Sequence, residues 1–140
     1  MKKTILILLV ISLFSGVYAQ NNKKMEDYNK NKLAVLWTSD DPNLAEKMAF
    51  MYTYNAKKQG WFDEVVLIIW GPSAKLASEN KMIQDYIKKM QDEGVIVEAC
   101  MACARMYGVD EKLAKMDIDV KGMGIPLSDY LKEGWKTLSL

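Results

Sequence analysis

Three stretches of unbroken apolarity constrain this chain more than any other feature. Leu33-Ala34-Val35-Leu36-Trp37, Val65-Val66-Leu67-Ile68-Ile69-Trp70 and Val95-Ile96-Val97 are apolar at every position. A strand with one wetted face alternates apolar and polar residues. A strand apolar throughout is covered on both faces, as in a parallel sheet. The intervening segments carry helical spacing. Pro42 suits a first helical turn behind Asp40-Asp41. Leu44, Ala45, Met48, Ala49, Met51 and Tyr52 then recur at helical intervals up to Lys57-Lys58, and Gly60 ends the run. A second helix is expected from about Ser78 to Asp92, with Met82, Ile83, Tyr86, Ile87 and Met90 on one side and Gly94 as its stop. Ala99 to Tyr107 reads as a helix starting just after the third strand. A helical turn at Glu111–Met116, a strand at Ile118–Val120, a helix from Leu127 to Glu133 and a last strand over Gly134–Leu138 complete the pattern. Strand and helix alternate with short connections, which predicts βαβ units. The expected fold is a three-layer α/β/α sandwich on a mainly parallel, roughly five-stranded sheet.

The N-terminus has a different character. Met1-Lys2-Lys3 is basic, Thr4 to Phe14 is almost wholly apolar, and Val17-Tyr18-Ala19 places small residues before Gln20. That is the three-part pattern of a signal peptide, and the apolar run is short for a membrane span. The expected organisation is a signal peptide over 1–19, a polar Lys/Asn-rich leader over 20–32 and one domain over 33–140. Cleavage after Ala19 removes two lysines and no acid, taking the formal charge from +1 to −1. It leaves no stable membrane anchor. The expected location is periplasmic or secreted, where thiols tend to be oxidised.

Composition narrows the chemistry. The 140 residues hold 19 Lys+Arg against 18 Asp+Glu, so no charge bias points to nucleic acid. There is no histidine, which removes any His-based triad or His metal site. No G-x-G-x-x-G or G-x-x-x-x-G-K-[ST] motif is present, so those nucleotide-binding devices are absent. No metal and no cofactor is expected. Ser39 and Ser73 lack a histidine base and are poor nucleophile candidates. Asp40 and Asp41 suit helix capping.

The two cysteines, Cys100 and Cys103, form a C-x-x-C. Residues three apart on a helix share a face, and their Cα separation, about 5–6 Å, is one a disulfide tolerates. Cys100 falls at the helix N-terminus, where unpaired N–H groups and the helix dipole favour a thiolate. Cys103, one turn inside, is the natural resolving thiol. Three readings stay open on spacing alone: reactive chemistry, inert core cysteines, and a structural disulfide. Sites in parallel sheets form at the carboxyl ends of strands. Trp37, Ser39, Trp70 and Gly71 are therefore expected to line a pocket beside the cysteines. The remaining methionines, among them Met48, Met51, Met82 and Met90, read as core packing.

The strand Val65–Trp70 with Gly71-Pro72, the stretch from Val95-Ile96-Val97-Glu98-Ala99-Cys100-Met101-Ala102-Cys103 through Gly108-Val109, and the tail from Val120 through Gly122-Met123-Gly124 to Gly134-Trp135 resemble the DsrE/DsrF-like family. The likeness covers nearly all of the chain after about Lys32. It implies a flavodoxin-like sandwich that assembles as a homotrimer or homohexamer. It also implies a sulfur-trafficking role of the DsrE and TusD kind, with sulfur carried as a persulfide on the cysteine after the third strand. Cys100 occupies that position; Cys103 is not required by the pattern. The expected function is sulfur transfer through Cys100, or thiol redox chemistry of the Cys100/Cys103 pair, with a sulfur donor or acceptor protein as partner. The alternative is a non-enzymatic module for a small ligand, with Cys100 and Cys103 as a structural disulfide.

Overall fold

The computed structural model describes residues 31–140. The expected signal peptide over 1–19 and the expected leader up to residue 30 lie outside the described residues. Lys32, grouped with the leader on composition, is the first residue of strand β1 (Lys32–Trp37). β2 spans Glu64–Ile69, β3 Ile96–Cys100, β4 Asp119–Lys121 and β5 Lys136–Ser139. The sheet order is β4-β3-β2-β1-β5, and every neighbouring pair is parallel. β2 sits in the middle, with Val65 through Ile69 fully buried, which is what its continuous apolarity required.

Helices cover both faces. Residues 42–58 form one helical segment, α1. It opens as Pro42–Leu44, widens into a π-helical stretch over Ala45–Phe50 and closes as α-helix over Met51–Lys58. Asp41 caps its start by accepting the N–H of Asn43 at 2.8 Å. α2 (Ser73–Glu79), α3 (Lys81–Asp92), α4 (Met101–Met106), α5 (Asp110–Ala114) and α6 (Gly124–Lys132) follow.

The two faces are covered unequally, and topology is the reason. From β1 to β4 the chain steps across the sheet in one direction, so right-handed crossovers put those connections on one face. The return from β4 to β5 runs the opposite way and puts α6 on the other. The first face holds the large core: Leu33, Val35 and Trp37 of β1 and Leu67 and Ile69 of β2 against Phe50, Ile83, Ile87, Met90 and Leu113. The second holds a small cluster of Ala34, Val66, Ile68, Cys100, Met123 and Trp135 under α6.

Two sequence expectations are corrected. The second helix is two helices, because Asn80 is extended (φ −99, ψ 114) and its side chain accepts the N–H of Ile83 at 3.2 Å. The amide thus takes the place of a turn of helix backbone. The methionines are not uniformly core. Met90 and Met123 are buried, whereas Met48, Met51 and Met82 are about half exposed. In α1 the inward stripe is Ala45, Ala49, Phe50, Thr53 and Ala56, and Met48 and Met51 lie off it and face outward. In α3 the restart at Lys81 leaves Ile83, Ile87 and Met90 as the inward face, with Met82 beside it.

Candidate functional site

Cys100 is the last residue of β3 and the cap of α4, with extended backbone (φ −68, ψ 109). Its side chain leaves the sheet on the thinly covered face and is 5 % exposed. Cys103 lies one turn along and packs against the same cluster, half-buried. The two sulfurs are unbridged and neighbour one another. Burial, and then the hydrogen bond with Cys100, push the Cys103 thiol up; the backbone N–H groups of Gly71 and of Cys103 itself pull the other way without reversing this.

The residues expected around the cysteines divide between the two faces. Successive strand side chains point to opposite sides. Trp70 packs with the Cys100 cluster, and Gly71, at φ +71, presents its N–H to Cys103. Trp37 points the other way. It is fully buried and meets Phe50 edge-on at 4.8 Å in the main core. The two tryptophans therefore do not share a pocket wall, because Trp37 ends β1 in register with Ile69, and Trp70, one residue beyond β2, falls on the opposite side. Ser39 accepts the N–H of Asp41 at 3.0 Å, so its hydroxyl serves the start of α1. Ser73 is buried and structural. Its hydroxyl donates to the Trp37 carbonyl at 2.7 Å and accepts the Trp70 N–H at 3.0 Å, clamping β1 to β2 at their carboxyl ends.

Sequence reasoning passed over Glu98, Lys121 and Tyr130. Glu98 precedes Cys100 by two residues on the same strand face and is buried. Its Oε1 accepts the Lys121 ammonium at 2.6 Å and the Tyr130 hydroxyl at 2.9 Å. Lys121 also reaches Asp119 at 2.7 Å. Burial works against the Lys121 charge, but Asp119 and Glu98 outweigh it and hold the ammonium well above its ordinary range. The Tyr130 phenol is pushed up by burial first and by Glu98 second, so it remains a proton donor. An acid in an otherwise apolar strand was the available signal, since a buried carboxylate needs partners.

Taken together, the architecture is a parallel α/β sandwich presenting a thiol pair where a central strand gives way to a helix. Residues 31–140 match the model of the DsrE/DsrF-like family. The chain belongs to the DsrE/DsrF-like family. It is 29 % identical over 109 residues to an uncharacterized protein of Methanocaldococcus jannaschii, MJ0733, covering 72 % of this chain and 85 % of that one. Among solved structures it resembles BT1422, a conserved protein of unknown function from Bacteroides thetaiotaomicron, with TM-score 0.76 and 39 % identity, covering 79 % of this chain and 95 % of that one. It shares the fold of the ychN protein of E. coli, with TM-score 0.64 and 12 % identity over 79 % and 99 % of the two chains.

Proposed function

We propose that this protein is a thiol-based sulfur carrier, with Cys100 as the sulfur-bearing residue and Cys103 as its protonated neighbour. The observation that carries this reading is the thiol pair itself: two adjacent, unbridged cysteines at the carboxyl end of a central strand, of which Cys103 is held above its ordinary thiol range. Membership of the DsrE/DsrF-like family supports a sulfur-relay or redox role.

The chemistry is a thiol exchange. The Cys100 thiolate attacks the outer sulfur of a persulfide, R–S–SH. A Cys100 S–S bond forms, the donor S–S bond breaks, and the donor leaves as a thiolate that takes a proton from water. Oxidation state is conserved, since the sulfane sulfur only changes owner. Cys103, kept largely as thiol, is a hydrogen-bond partner for the Cys100 sulfur and a poor competing nucleophile at neutral pH.

The proposal includes an exported homo-oligomer, a trimer or hexamer. N-terminal mass analysis of the native protein should find Gln20 first, and light scattering on the mature chain should give the assembly. For the chemistry, reduced protein is incubated with polysulfide and its intact mass read. Wild type and Cys103→Ser should gain a sulfur atom, and Cys100→Ser should not. An equal adduct on Cys100→Ser would overturn the assignment.

A further inference from the structure

The sheet face that carries Cys100 also carries an ionic cluster in which one buried carboxylate oxygen lacks a donor among the described residues. Glu98 and Cys100 are two residues apart on β3, so their Cα atoms are about 6.6 Å apart on one face. Their register partners on β4 are Asp119 and Lys121. The Glu98 side chain is 4 % exposed, and both of its donors, Lys121 and Tyr130, sit on Oε1. Oε2 is buried and has no partner among the described residues. Lys121 serves both Glu98 and Asp119, and Asp119 is 59 % exposed, so what stays buried and unsatisfied is the second oxygen of Glu98, which is costly without a donor. The other ammonium on this side, Lys32, is committed to Glu64 at 3.3 Å and lies over the Trp135 ring at 5.3 Å. A second orphan belongs to the same cluster. Trp135 Nε1 is buried without an acceptor, and its ring lies 4.5 Å from that of Tyr130. The cover over these groups, α6, has no fully buried residue and is flanked by Gly122 and Gly134.

We propose that Glu98 Oε2 seats the ammonium of a low-molecular-weight aminothiol persulfide, which delivers its outer sulfur to Cys100. This rests on the sulfur-carrier reading and names the class of donor. Glu98 and Cys100 leave the same face of β3 from positions two residues apart, so a short donor with an ammonium at one end and a persulfide at the other can address both. A neutral donor gains less than a cation from the free carboxylate oxygen, and an anionic one is repelled by it. The products are Cys100 persulfide and the free aminothiol. Its thiolate takes a proton from water, and its ammonium keeps its charge throughout.

The test uses Cys103→Ser protein, so that an adduct on Cys100 persists. It is reacted with cystamine and, separately, with bis(2-hydroxyethyl) disulfide. Formation of the mixed disulfide is followed by intact mass, and each rate is divided by that of the urea-unfolded chain. The expected result is a preference of about tenfold or more for cystamine, a ratio worth one well-placed charge contact. Ethylammonium, which carries no sulfur, should inhibit cystamine and leave the hydroxyethyl reagent unaffected. Adding Glu98→Gln should bring the ratio to within about twofold. Equal normalised rates, no competition by ethylammonium, or an unchanged preference in Glu98→Gln would overturn the inference while leaving the sulfur carrier standing. If neither reagent modifies folded Cys100 while the unfolded chain reacts, the carrier reading falls and this inference with it. The first two measurements need no change at Glu98, so they decide the matter even if that variant does not fold.

Discussion

At the scale of single residues, the proposed carrier depends on the proton on Cys103, which decides whether a sulfur on Cys100 would stay there. A Cys103 thiolate would attack the Cys100 sulfur of the persulfide, form the Cys100–Cys103 disulfide and expel hydrosulfide. Because burial and the Cys100 hydrogen bond hold the Cys103 thiol above its ordinary range, the thiolate fraction stays low through neutral pH and grows only as pH climbs past that range. Sulfide release from persulfidated wild type, followed with a sulfide electrode, should therefore be slow at pH 7 and rise steeply above pH ~9. In Cys103→Ser it should stay flat. Release that falls with rising pH would contradict the direction of this shift. A second residue-level expectation concerns Ser73. Replacing it with alanine removes the hydroxyl's bonds to the Trp37 carbonyl and the Trp70 N–H, which still pair directly with each other at 3.0 Å. The loss should therefore be about 0.5–1.5 kcal/mol in urea unfolding, with no change in Cys100 reactivity if the clamp is purely structural.

At the scale of elements, the strands were readable because burial on both faces leaves an unambiguous mark, and β2 is the plainest case. Helix phase was harder to read. Apolar residues at helical intervals left two candidate faces on α1, and the small residues Ala45, Ala49 and Ala56, not the methionines, take the inward one. Met48 and Met51 consequently looked like core and are not. Their truncation to alanine should stay within about 0.5 kcal/mol in urea unfolding. Met90→Ala, from the true inward face of α3, should cost about 2–5 kcal/mol in the same experiment. The site shows the same limit from another side. That Cys100 stands where β3 meets α4 followed from the sequence, because that junction is local. That Trp37 faces away from it depends on the pleat phase at a strand end, and that Glu98 is gripped by Lys121 and Tyr130 depends on contacts 23 and 32 residues distant.

At the scale of the whole molecule, a broad core on one face and a small cluster on the other imply unequal local stability. α6 contributes no fully buried residue, while β2 is buried along nearly its whole length. Hydrogen exchange should show α6 amides opening at a free energy several kcal/mol below those of β2, which should exchange only on global unfolding. Equal protection of the two would mean that α6 is as firmly held as the centre of the sheet. The alternation of elements was enough to anticipate the layered, mainly parallel architecture. The sidedness follows from one topological event, the long return from β4 to β5, which no local pattern reports.

Among the described residues, α6 is the helix that covers the cysteine side, and its position separates two tasks. The segment from Gly122 to Gly134 lies over the cluster that holds the thiols, yet it supplies little of what keeps the chain folded. Its exposed residues, Ile125 and Leu131 among them, are open to replacement without disturbing the ribbon beneath. Exchanging that stretch between relatives is thus a direct route to altering which molecules enter while the rest of the protein keeps its shape.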